Sequence, residues 1–374
     1  MWVGSGGPAR ALVELCSAVK QTDPSIEIDI ATTSFGMTRE WLNTLQASLP
    51  KDVEMQMFPE FGTRTWNLSP QLWAWIWRAA PRYDVLHIHA AFNPISAGCA
   101  WIARRRKKPY ILRPLGTLST YTFSHGKAFS KRAYYALVES QTVAGAAALH
   151  FTTEKEREKA SRLKLPPHAM VIPLPYEAPP SRFEADRREP VYLFLGRLDP
   201  VKGLELLLRA FALIRQSRPD ARLVIAGSGD PRYERHLRRL ADELGMHAHV
   251  QFTGHVTGEE KEHLLKSAAV FVLPSYQENF GVAAVEAMAA QLPVIVTRGV
   301  DLWPDVESHQ AGIVVEHDLK QLASAMTRLL EEGKLRAAMG QNGAALVRNR
   351  YAPSVVGPEL VDMYRGVVRR YAGS

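Results

Sequence analysis

The chain holds 374 residues, of which 46% are apolar and 22% charged, a composition typical of a globular protein and unlike that of disordered or collagen-like chains. This length exceeds what one ordinary hydrophobic core supports, so we expect two domains. No apolar run approaches the ~20 residues that span a bilayer, and the first residues, MWVGSGGPAR, lack a signal-peptide pattern. We therefore expect a cytoplasmic chain in which Cys16 and Cys99 form no disulfide and bind no metal.

The net charge of +8 is uneven, because residues 1–186 carry six of the eight surplus positive charges. A basic N-terminal half favours an anionic partner, namely nucleic acid, a phosphorylated substrate or an anionic membrane surface. The same surplus is also compatible with a solvated surface that binds nothing.

Glycines precede the first predicted helix. Pro8 fits a first helical position, and residues 11–19, ALVELCSAV, have helical periodicity. Gly6 and Gly7 lie just before this segment, where glycines either form a phosphate cradle or belong to a flexible tail. Residues 26–33 and 53–58 are strand candidates.

Two helices of the N-terminal half carry tryptophans and cations. Residues 68–80 predict a short helix with Trp73, Trp75 and Trp77. This helix either packs on a sheet with one exposed indole or lies at a membrane surface with its indoles among lipid headgroups. Residues 101–108, WIARRRKK, end a second helix, and their successive cations suit either a helix C-terminus or contact with anionic lipid.

A strand predicted in residues 84–93, DVLHIHAAFN, carries two histidines. His87 and His89 are two residues apart, so they share one face near the C-terminal end of this strand. A metal pair is conceivable, but the sequence places no third ligand nearby. A buried histidine is the structural alternative.

The boundary between the two domains is predicted at residues 176–190, in a proline-rich stretch without apolar periodicity. The strand that follows leads into GRLDPVKGLELLLRAF, where Arg197 and Lys202 flank the N-terminus of a helix that starts at Gly203. Two cations beside unpaired helix N–H groups are what a diphosphate leaving group requires. Surface cations without such a role are also common.

Residues 271–290, FVLPSYQENFGVAAVEAMAA, predict a buried strand, a loop with Gly281 and an alanine-rich helix. Glu278 on the loop and Glu286 in the first helical turns are suited to accept hydrogen bonds from a ribose or a hexose bound at the helix N-terminus. Strand–loop–helix units occur in any α/β domain, however, and the helix dipole alone favours a glutamate there.

Together with the next strand, the phrase PSYQENFGVAAVEAMAAQLPVIVT resembles the donor-sugar motif of the GT4 family of retaining glycosyltransferases, also called glycosyltransferase group 1. DVLHIH and GRLDPVKG resemble two further motifs of this family, and the resemblance covers nearly the whole chain from Gly4. It implies the α/β fold called GT-B, in which two Rossmann-like doubly wound domains face each other across a cleft. The family's first strand has only residues 1–3 available here, so we expect that strand to be truncated and the true N-terminus to lie upstream of Met1.

The resemblance implies an acceptor-binding domain in residues 1–175, a nucleotide-sugar-binding domain in residues 191–350, and a helix in residues 351–374 that crosses back to the first domain. It also implies that Glu278 holds the sugar hydroxyls, that Glu286 binds the ribose, and that His89 contacts the sugar from the first domain. Arg197 and Lys202 would stabilise the departing diphosphate. The remaining donor-binding residues implied by the resemblance are Gly6, Gly7, Val256, Asn279, Phe280 and Gly281.

The implied reaction moves a hexose from a UDP- or GDP-sugar, with retention of configuration, to a saccharide or polyprenyl-linked acceptor in exopolysaccharide or lipopolysaccharide biosynthesis. No cofactor or metal is expected, because the chain has no Asp-x-Asp and its cations would carry the charge that Mg²⁺ carries elsewhere. We expect no nucleic acid as partner, but an anionic membrane surface at which the protein would be peripheral. A GT-B sugar-nucleotide epimerase and a non-catalytic basic membrane or nucleic-acid adaptor stay open as alternatives, whereas hydride transfer lacks its G-x-G-x-x-G motif.

Overall fold

A computed structural model describes residues 6–33, 39–62, 67–118, 133–163, 165–178 and 189–373. The chain divides into two compact units: unit 1 comprises Met1–Pro175 with Pro353–Ser374, and unit 2 comprises Tyr176–Ala352. Residues 1–3, to which the truncated first strand was assigned, and most of the predicted linker lie outside the described residues.

Unit 1 contains parallel strands between helices. Its strands are β1 (Asp29–Thr33), β2 (Glu54–Phe58), β3 (Phe61–Gly62), β4 (Asn67–Leu68), β5 (Leu86–His89), β6 (Tyr110–Arg113), β7 (Ala148–Phe151) and β8 (Ala169–Val171). In the described residues, β5-β6-β7-β8 form one parallel sheet, β1 pairs in parallel with β2, and β3 pairs antiparallel with β4. The helices are α1 (Gly6–Thr22), α2 (Arg39–Ser48), α3 (Pro70–Ala79), α4 (Pro94–Arg105), α5 (Ser140–Ala144) and α6 (Glu154–Ala160), with a 3₁₀ turn at Ala80–Arg82 and a π-helical turn at Tyr135–Glu139.

The central strands of unit 1 consist mostly of apolar residues because they lie in the core. Every residue of β6 and β7 is buried, as expected of parallel strands with helices on both faces. Helices α3 and α4 pack here through Leu72, Ile76 and Ile95. Asn93 caps α4, because its side chain accepts a hydrogen bond from the backbone N–H of Ile95 at 2.8 Å.

The three tryptophans of α3 have different environments. Trp73 donates its indole N–H to the carbonyl of Ile95 at 3.1 Å, and Trp75 packs against Phe58 with ring centroids 5.6 Å apart. Trp77 is the exposed one. Helix α3 therefore packs on the core with a single exposed indole.

Unit 2 is a doubly wound domain. Its strands are β9 (Val191–Leu195), β10 (Arg222–Ala226), β11 (Val250–Gly254), β12 (Val270–Leu273), β13 (Val294–Thr297) and β14 (Gly312–Val315), and they form one parallel sheet in the order β11-β10-β9-β12-β13-β14. The helices are α7 (Leu204–Arg215), α8 (Pro231–Glu243), α9 (Gly258–Ser267), α10 (Val282–Ala289), α11 (Trp303–Ser308), α12 (Leu319–Glu331) and α13 (Gly333–Leu346), followed by a π-helical turn at Val347–Tyr351 and a 3₁₀ turn before α7 at Pro200–Lys202. The chain turns from β9 toward one edge of the sheet and from β12 toward the other. Ligands of such sheets bind at this reversal, beyond the carboxyl ends of the two central strands.

The final helix, α14 (Pro353–Ala372), belongs to unit 1. It packs against α1 so closely that a Cβ on Gly357 would lie 2.5 Å from the carbonyl oxygen of Ala18. Arg365 forms an ion pair with Asp23 at 2.6 Å, and the Tyr364 hydroxyl hydrogen-bonds His87 at 2.9 Å. The C-terminal helix is thus an integral layer of unit 1.

Candidate functional site

The loops that follow β9 and β12 meet at the reversal point of the unit 2 sheet. The backbone N–H of Tyr276, after β12, donates to the carbonyl of Val201, after β9, at 2.8 Å. Gly203 adopts a left-handed conformation, and a Cβ there would lie 2.2 Å from the carbonyl oxygen of Pro274. Glycine is required at this position, because only glycine permits both the left-handed backbone angles and the close approach of the Pro274 carbonyl oxygen. The start of α7 is thereby held against the end of β12.

Lys202 and Glu278 are brought into direct contact by these loops. Lys202 Nζ donates to Glu278 Oε2, and the two side chains keep 16% and 22% of their surface exposed. The backbone of Glu278 is fixed on both sides, since its N–H donates to the Gly299 carbonyl at 2.9 Å and its carbonyl accepts from Asp301 at 2.8 Å. The pair therefore sits at the start of α7, within reach of a ligand, on a rigid backbone.

Arg197 lies on the same loop as Lys202. Its guanidinium pairs with Asp199 at 3.2 Å, and the Asp199 side chain also accepts from the backbone N–H of Val201 at 3.1 Å. Arg197 keeps 30% of its side chain exposed, so an anionic ligand can compete for it. Two cations beside the first N–H groups of a helix are an arrangement that can bind anions. Anion binding by this loop stays a prediction.

The second predicted carboxylate, Glu286, lies inside α10. Lys261 on α9 pairs with it at 2.9 Å, and the Glu286 side chain is 8% exposed. Charge pairing compensates the cost of burying this carboxylate. Sequence patterns did not identify Lys261, because a lysine in the charged segment GEEKEHLLKS looks like any surface residue.

The remaining predicted donor residues of unit 2 are placed as follows. Gly281 is left-handed and precedes α10, and its carbonyl accepts from Ala284 at 2.8 Å. Phe280 is buried and packs edge-to-face on Tyr351. Its side chain therefore belongs to the core, and only its backbone could contact a donor. Asn279 lies between Glu278 and Phe280 and is partly buried, and Val256 is buried two residues beyond β11.

In unit 1, His89 ends β5 opposite Arg113 of β6. Arg113 is buried, and its Nη1 lies 3.4 Å from His89 Nδ1. Burial, with Arg113 as a second cause, lowers the pKa of His89 well below 6.5, so the imidazole is neutral at physiological pH. A neutral imidazole suits hydrogen bonding to a sugar hydroxyl, the role that the family resemblance implies.

His87 belongs to a separate hydrogen-bonded chain in the core of unit 1. Its Nδ1 meets the Tyr364 hydroxyl, and its Nε2 lies 3.4 Å from His150 Nδ1. His150 in turn bonds the carbonyl of Ile172 at 2.8 Å. This chain anchors α14 to the strand that carries His89. Within the described ranges, no group of three or more His, Cys, Asp or Glu residues is arranged to hold a metal ion.

Gly6 and Gly7 form the first turn of α1 rather than a loop before it. They and His89 belong to unit 1, whereas the other predicted site residues belong to unit 2. The roles of all these residues toward a donor stay predictions. No helix in the portion described is long and apolar enough to cross a membrane.

Comparison with known proteins agrees with this architecture. The family model "Glycosyl transferase 4-like domain" matches residues 6–175, and "Glycosyl transferases group 1" matches residues 177–346. Since the two models together account for both units, the chain belongs to the group 1, or GT4-type, glycosyltransferases.

Relatives and solved structures support the same assignment. An uncharacterized glycosyltransferase of Methanocaldococcus jannaschii is 38% identical over 178 residues, which cover 47% of this chain and 45% of the relative. Alpha-D-kanosaminyltransferase of Streptomyces kanamyceticus is 30% identical over 246 residues, covering 61% of this chain and 63% of the relative. The chain thus aligns with less than two thirds of the length of these relatives. HepE of Anabaena, solved in complex with UDP-glucose, superposes with a TM-score of 0.77 at 18% identity and covers 98% of each chain, which shows the GT-B fold.

Proposed function

We propose that this protein is a retaining glycosyltransferase that moves a hexose from a UDP- or GDP-sugar to a saccharide or polyprenyl-linked acceptor. The observation that carries the proposal is the contact between Lys202 and Glu278 at the reversal point of the unit 2 sheet. It joins a cation suited to a diphosphate and a carboxylate suited to sugar hydroxyls in one place.

Donor binding replaces two ion pairs, Lys202 with Glu278 and Arg197 with Asp199. The donor diphosphate takes the positive charges of Lys202 and Arg197, and the sugar hydroxyls donate to the freed Glu278 carboxylate. Glu286, held by Lys261, accepts from the ribose hydroxyls. As the bond between the anomeric carbon and the diphosphate oxygen breaks, the two cations and the N–H groups at the start of α7 stabilise the negative charge on the leaving group.

The acceptor hydroxyl attacks from the face that the diphosphate leaves, so an α-linked donor gives an α-linked product. His89, neutral beside Arg113, contacts the hexose during this step. We place the reaction in the synthesis of exopolysaccharide or lipopolysaccharide, where acceptors are saccharides or polyprenyl-linked saccharides. The family resemblance and the basic N-terminal half support this placement.

Turnover of donor by the purified protein tests the proposal. Release of nucleoside diphosphate from UDP- and GDP-hexoses is measured with and without a mixture of saccharide acceptors, and the product is identified by mass spectrometry. Arg197→Ala and Lys202→Ala should each lower turnover by roughly 10²–10³, the loss seen for one oxyanion-type donor. Arg209→Ala removes an exposed cation from the same helix, α7, and should leave turnover unchanged.

The outcomes separate the alternative functions. Turnover of both site variants within a few-fold of wild type would reject the anion site. A free or altered sugar formed without any acceptor would identify an epimerase, and complete absence of donor binding would favour an adaptor. Activity should persist in EDTA, and the anomeric coupling of the product in NMR should match that of the donor; a product of inverted configuration would reject retention.

A further inference from the structure

Unit 1 exposes a pair of stacked tryptophans from two neighbouring helices. Trp77 of α3 and Trp101 of α4 have ring centroids 6.2 Å apart at 26°, and they are 41% and 47% exposed. The guanidinium of Arg106 lies 5.2 Å from the Trp77 centroid, and that of Arg105 lies 5.2 Å from the Trp101 centroid. We call Trp77, Trp101, Arg105 and Arg106 the indole patch.

The indole patch is not required by the core of unit 1. Trp73 and Trp75 of α3 already fill the space between this helix and its neighbours. Exposed large apolar groups that lie together mark a binding surface more often than scattered ones do. Two indoles held in one stack therefore point to a partner.

The helix that carries Trp101 also contacts a segment with a strongly exposed apolar side chain. Arg104 turns inward and donates to the carbonyl of Gln141 at 3.3 Å, which places the start of α5 beside α4. Leu137, one helical turn before Gln141, is 74% exposed. A further exposed apolar side chain thus belongs to the segment that leads into α5, which contacts α4.

The surrounding sequence is almost free of acidic residues. Between Glu60 and Glu139, Asp84 is the only acidic residue, whereas twelve lysines and arginines occur there. This surplus is larger than the net charge of +8 of the whole chain, so the rest of the chain is net negative. The positive charge of the sequence is therefore concentrated between Glu60 and Glu139, the stretch that contains the indole patch.

We propose that the indole patch docks unit 1 on an anionic lipid bilayer. Indole rings settle at the level of lipid headgroups, where one edge is apolar and the other wet. Arginines beside them reach lipid phosphates, and clustered cations draw a protein to an anionic surface. Surfaces that bind single-stranded nucleic acid present aromatic faces to stacked bases, whereas here an arginine lies over each ring. The proposal uses no residue of the donor site, so it stands or falls independently of the proposed function.

Co-sedimentation with lipid vesicles tests the docking surface. Wild-type protein should pellet with phosphatidylglycerol-containing vesicles, fail to pellet with pure phosphatidylcholine, and dissociate as salt rises. Arg105→Glu with Arg106→Glu should weaken binding at least ~30-fold, because each cation near the surface contributes about a fivefold factor. Trp77→Ser with Trp101→Ser should weaken it roughly tenfold and keep the salt dependence.

The matched control changes the same charge on the other unit. Arg235→Glu with Arg239→Glu alters two exposed arginines of α8 and should bind vesicles like wild type. Near-identical circular dichroism and melting curves would show that all variants are folded. Equal recovery with both lipid compositions, equal weakening by the α8 control, or full binding by the double tryptophan variant would each overturn the proposal. So would the finding that the patch variants abolish self-association in analytical ultracentrifugation while wild type ignores vesicles.

Discussion

Lys261 and Glu286 form an ion pair at 2.9 Å between α9 and α10, and the carboxylate is almost fully buried. Lys261→Met removes a positive charge that stabilises the Glu286 carboxylate in a poorly solvated place. The Glu286 carboxylate would then turn toward solvent. This change removes an acceptor from the position where we place the donor ribose.

Lys261→Met should therefore raise the dissociation constant of the nucleoside diphosphate about tenfold, since a hydrogen bond to a charged group contributes ~1.5–3 kcal/mol. Isothermal titration calorimetry measures this, and the donor KM should rise in parallel while kcat changes little. Lys266→Met on the same helix is the control, because Lys266 pairs with Glu262 at 3.3 Å, and both of these side chains are exposed. Equal affinities of the Lys261 and Lys266 variants would contradict the role of Lys261.

At the residue scale, sequence motifs identify those candidate site residues that lie on short loops. Arg197, Lys202 and Glu278 stand in recognisable phrases, and the structure places Lys202 on Glu278. Lys261 could not be found in this way, because its partner is 25 residues away and the contact depends on how two helices pack. The same holds for Tyr364, which reaches His87 across 277 residues.

At the scale of elements, Gly203 joins the loop after β9 to the start of α7. Gly203→Ala adds two costs, a left-handed φ of 68° and a Cβ 2.2 Å from the Pro274 carbonyl oxygen. Gly245→Ala adds only the first, because Gly245 has a φ of 69° and open space around its Cβ. Gly203→Ala should therefore lower the free energy of unfolding by about 1–3 kcal/mol more than Gly245→Ala. Urea denaturation of both variants measures the difference, and equal losses would show that the close approach contributes nothing.

The π-helical turn Tyr135–Glu139 buries a carboxylate. Both Glu139 oxygens lack a hydrogen bond of ordinary geometry from the described residues. Burial raises the pKa of Glu139 from 4.5 to about 7, and the backbone of Phe92 offsets this only in part. Because the folded-state pKa is the higher one, the folded protein loses stability as pH rises from about 4.5 to 7.

Glu139→Gln should accordingly stabilise the protein at pH 8, by at most about 3 kcal/mol, and have little effect near pH 4.5. Thermal unfolding at the two pH values gives the comparison. Glu158→Gln, at an exposed residue paired with Lys155, should change stability by less than ~0.5 kcal/mol at either pH. A gain that does not depend on pH would assign the Glu139 effect to something other than its charge.

The observed boundaries of helices and strands agree with the predicted ones where the apolar periodicity of the sequence is clear. The strand predicted from residue 191 is β9, and the helix predicted from Gly203 starts one residue later. The sequence of residues 127–148 predicts one long helical stretch. Its described part instead contains the π-helical turn Tyr135–Glu139 before α5. Apolar periodicity does not distinguish a π turn from an α-helix, because both place apolar residues on one face. Strand β8 was not predicted, since its three residues give too short a pattern.

At the scale of the whole molecule, α14 returns the chain to unit 1 after unit 2 is complete. Its attachment uses three kinds of contact: the close approach at Gly357, the Arg365–Asp23 ion pair and the Tyr364–His87 hydrogen bond. The Tyr364–His87 and Arg365–Asp23 contacts close loops of 277 and 342 residues. Loop closure costs little extra entropy once the loop is this long. The helix therefore stabilises unit 1 through packing against α1.

Two glycines of α14 allow this packing to be tested within one helix. A Cβ on Gly357 would lie 2.1 Å from Thr22 Oγ1 and 2.5 Å from the Ala18 carbonyl oxygen, whereas one on Gly366 would meet only the flexible end of Arg370 at 3.3 Å. Alanine gains about 1 kcal/mol of helix propensity at either position, but at Gly357 it must push α14 away from α1. Gly366→Ala should therefore be neutral or stabilising, and Gly357→Ala destabilising by about 1–2 kcal/mol. Hydrogen exchange followed by mass spectrometry should show faster exchange in α1 and α14 of the Gly357 variant and unchanged exchange in unit 2. Uniform acceleration across both units, or none in α1, would mean that α14 does not stabilise unit 1 through this contact.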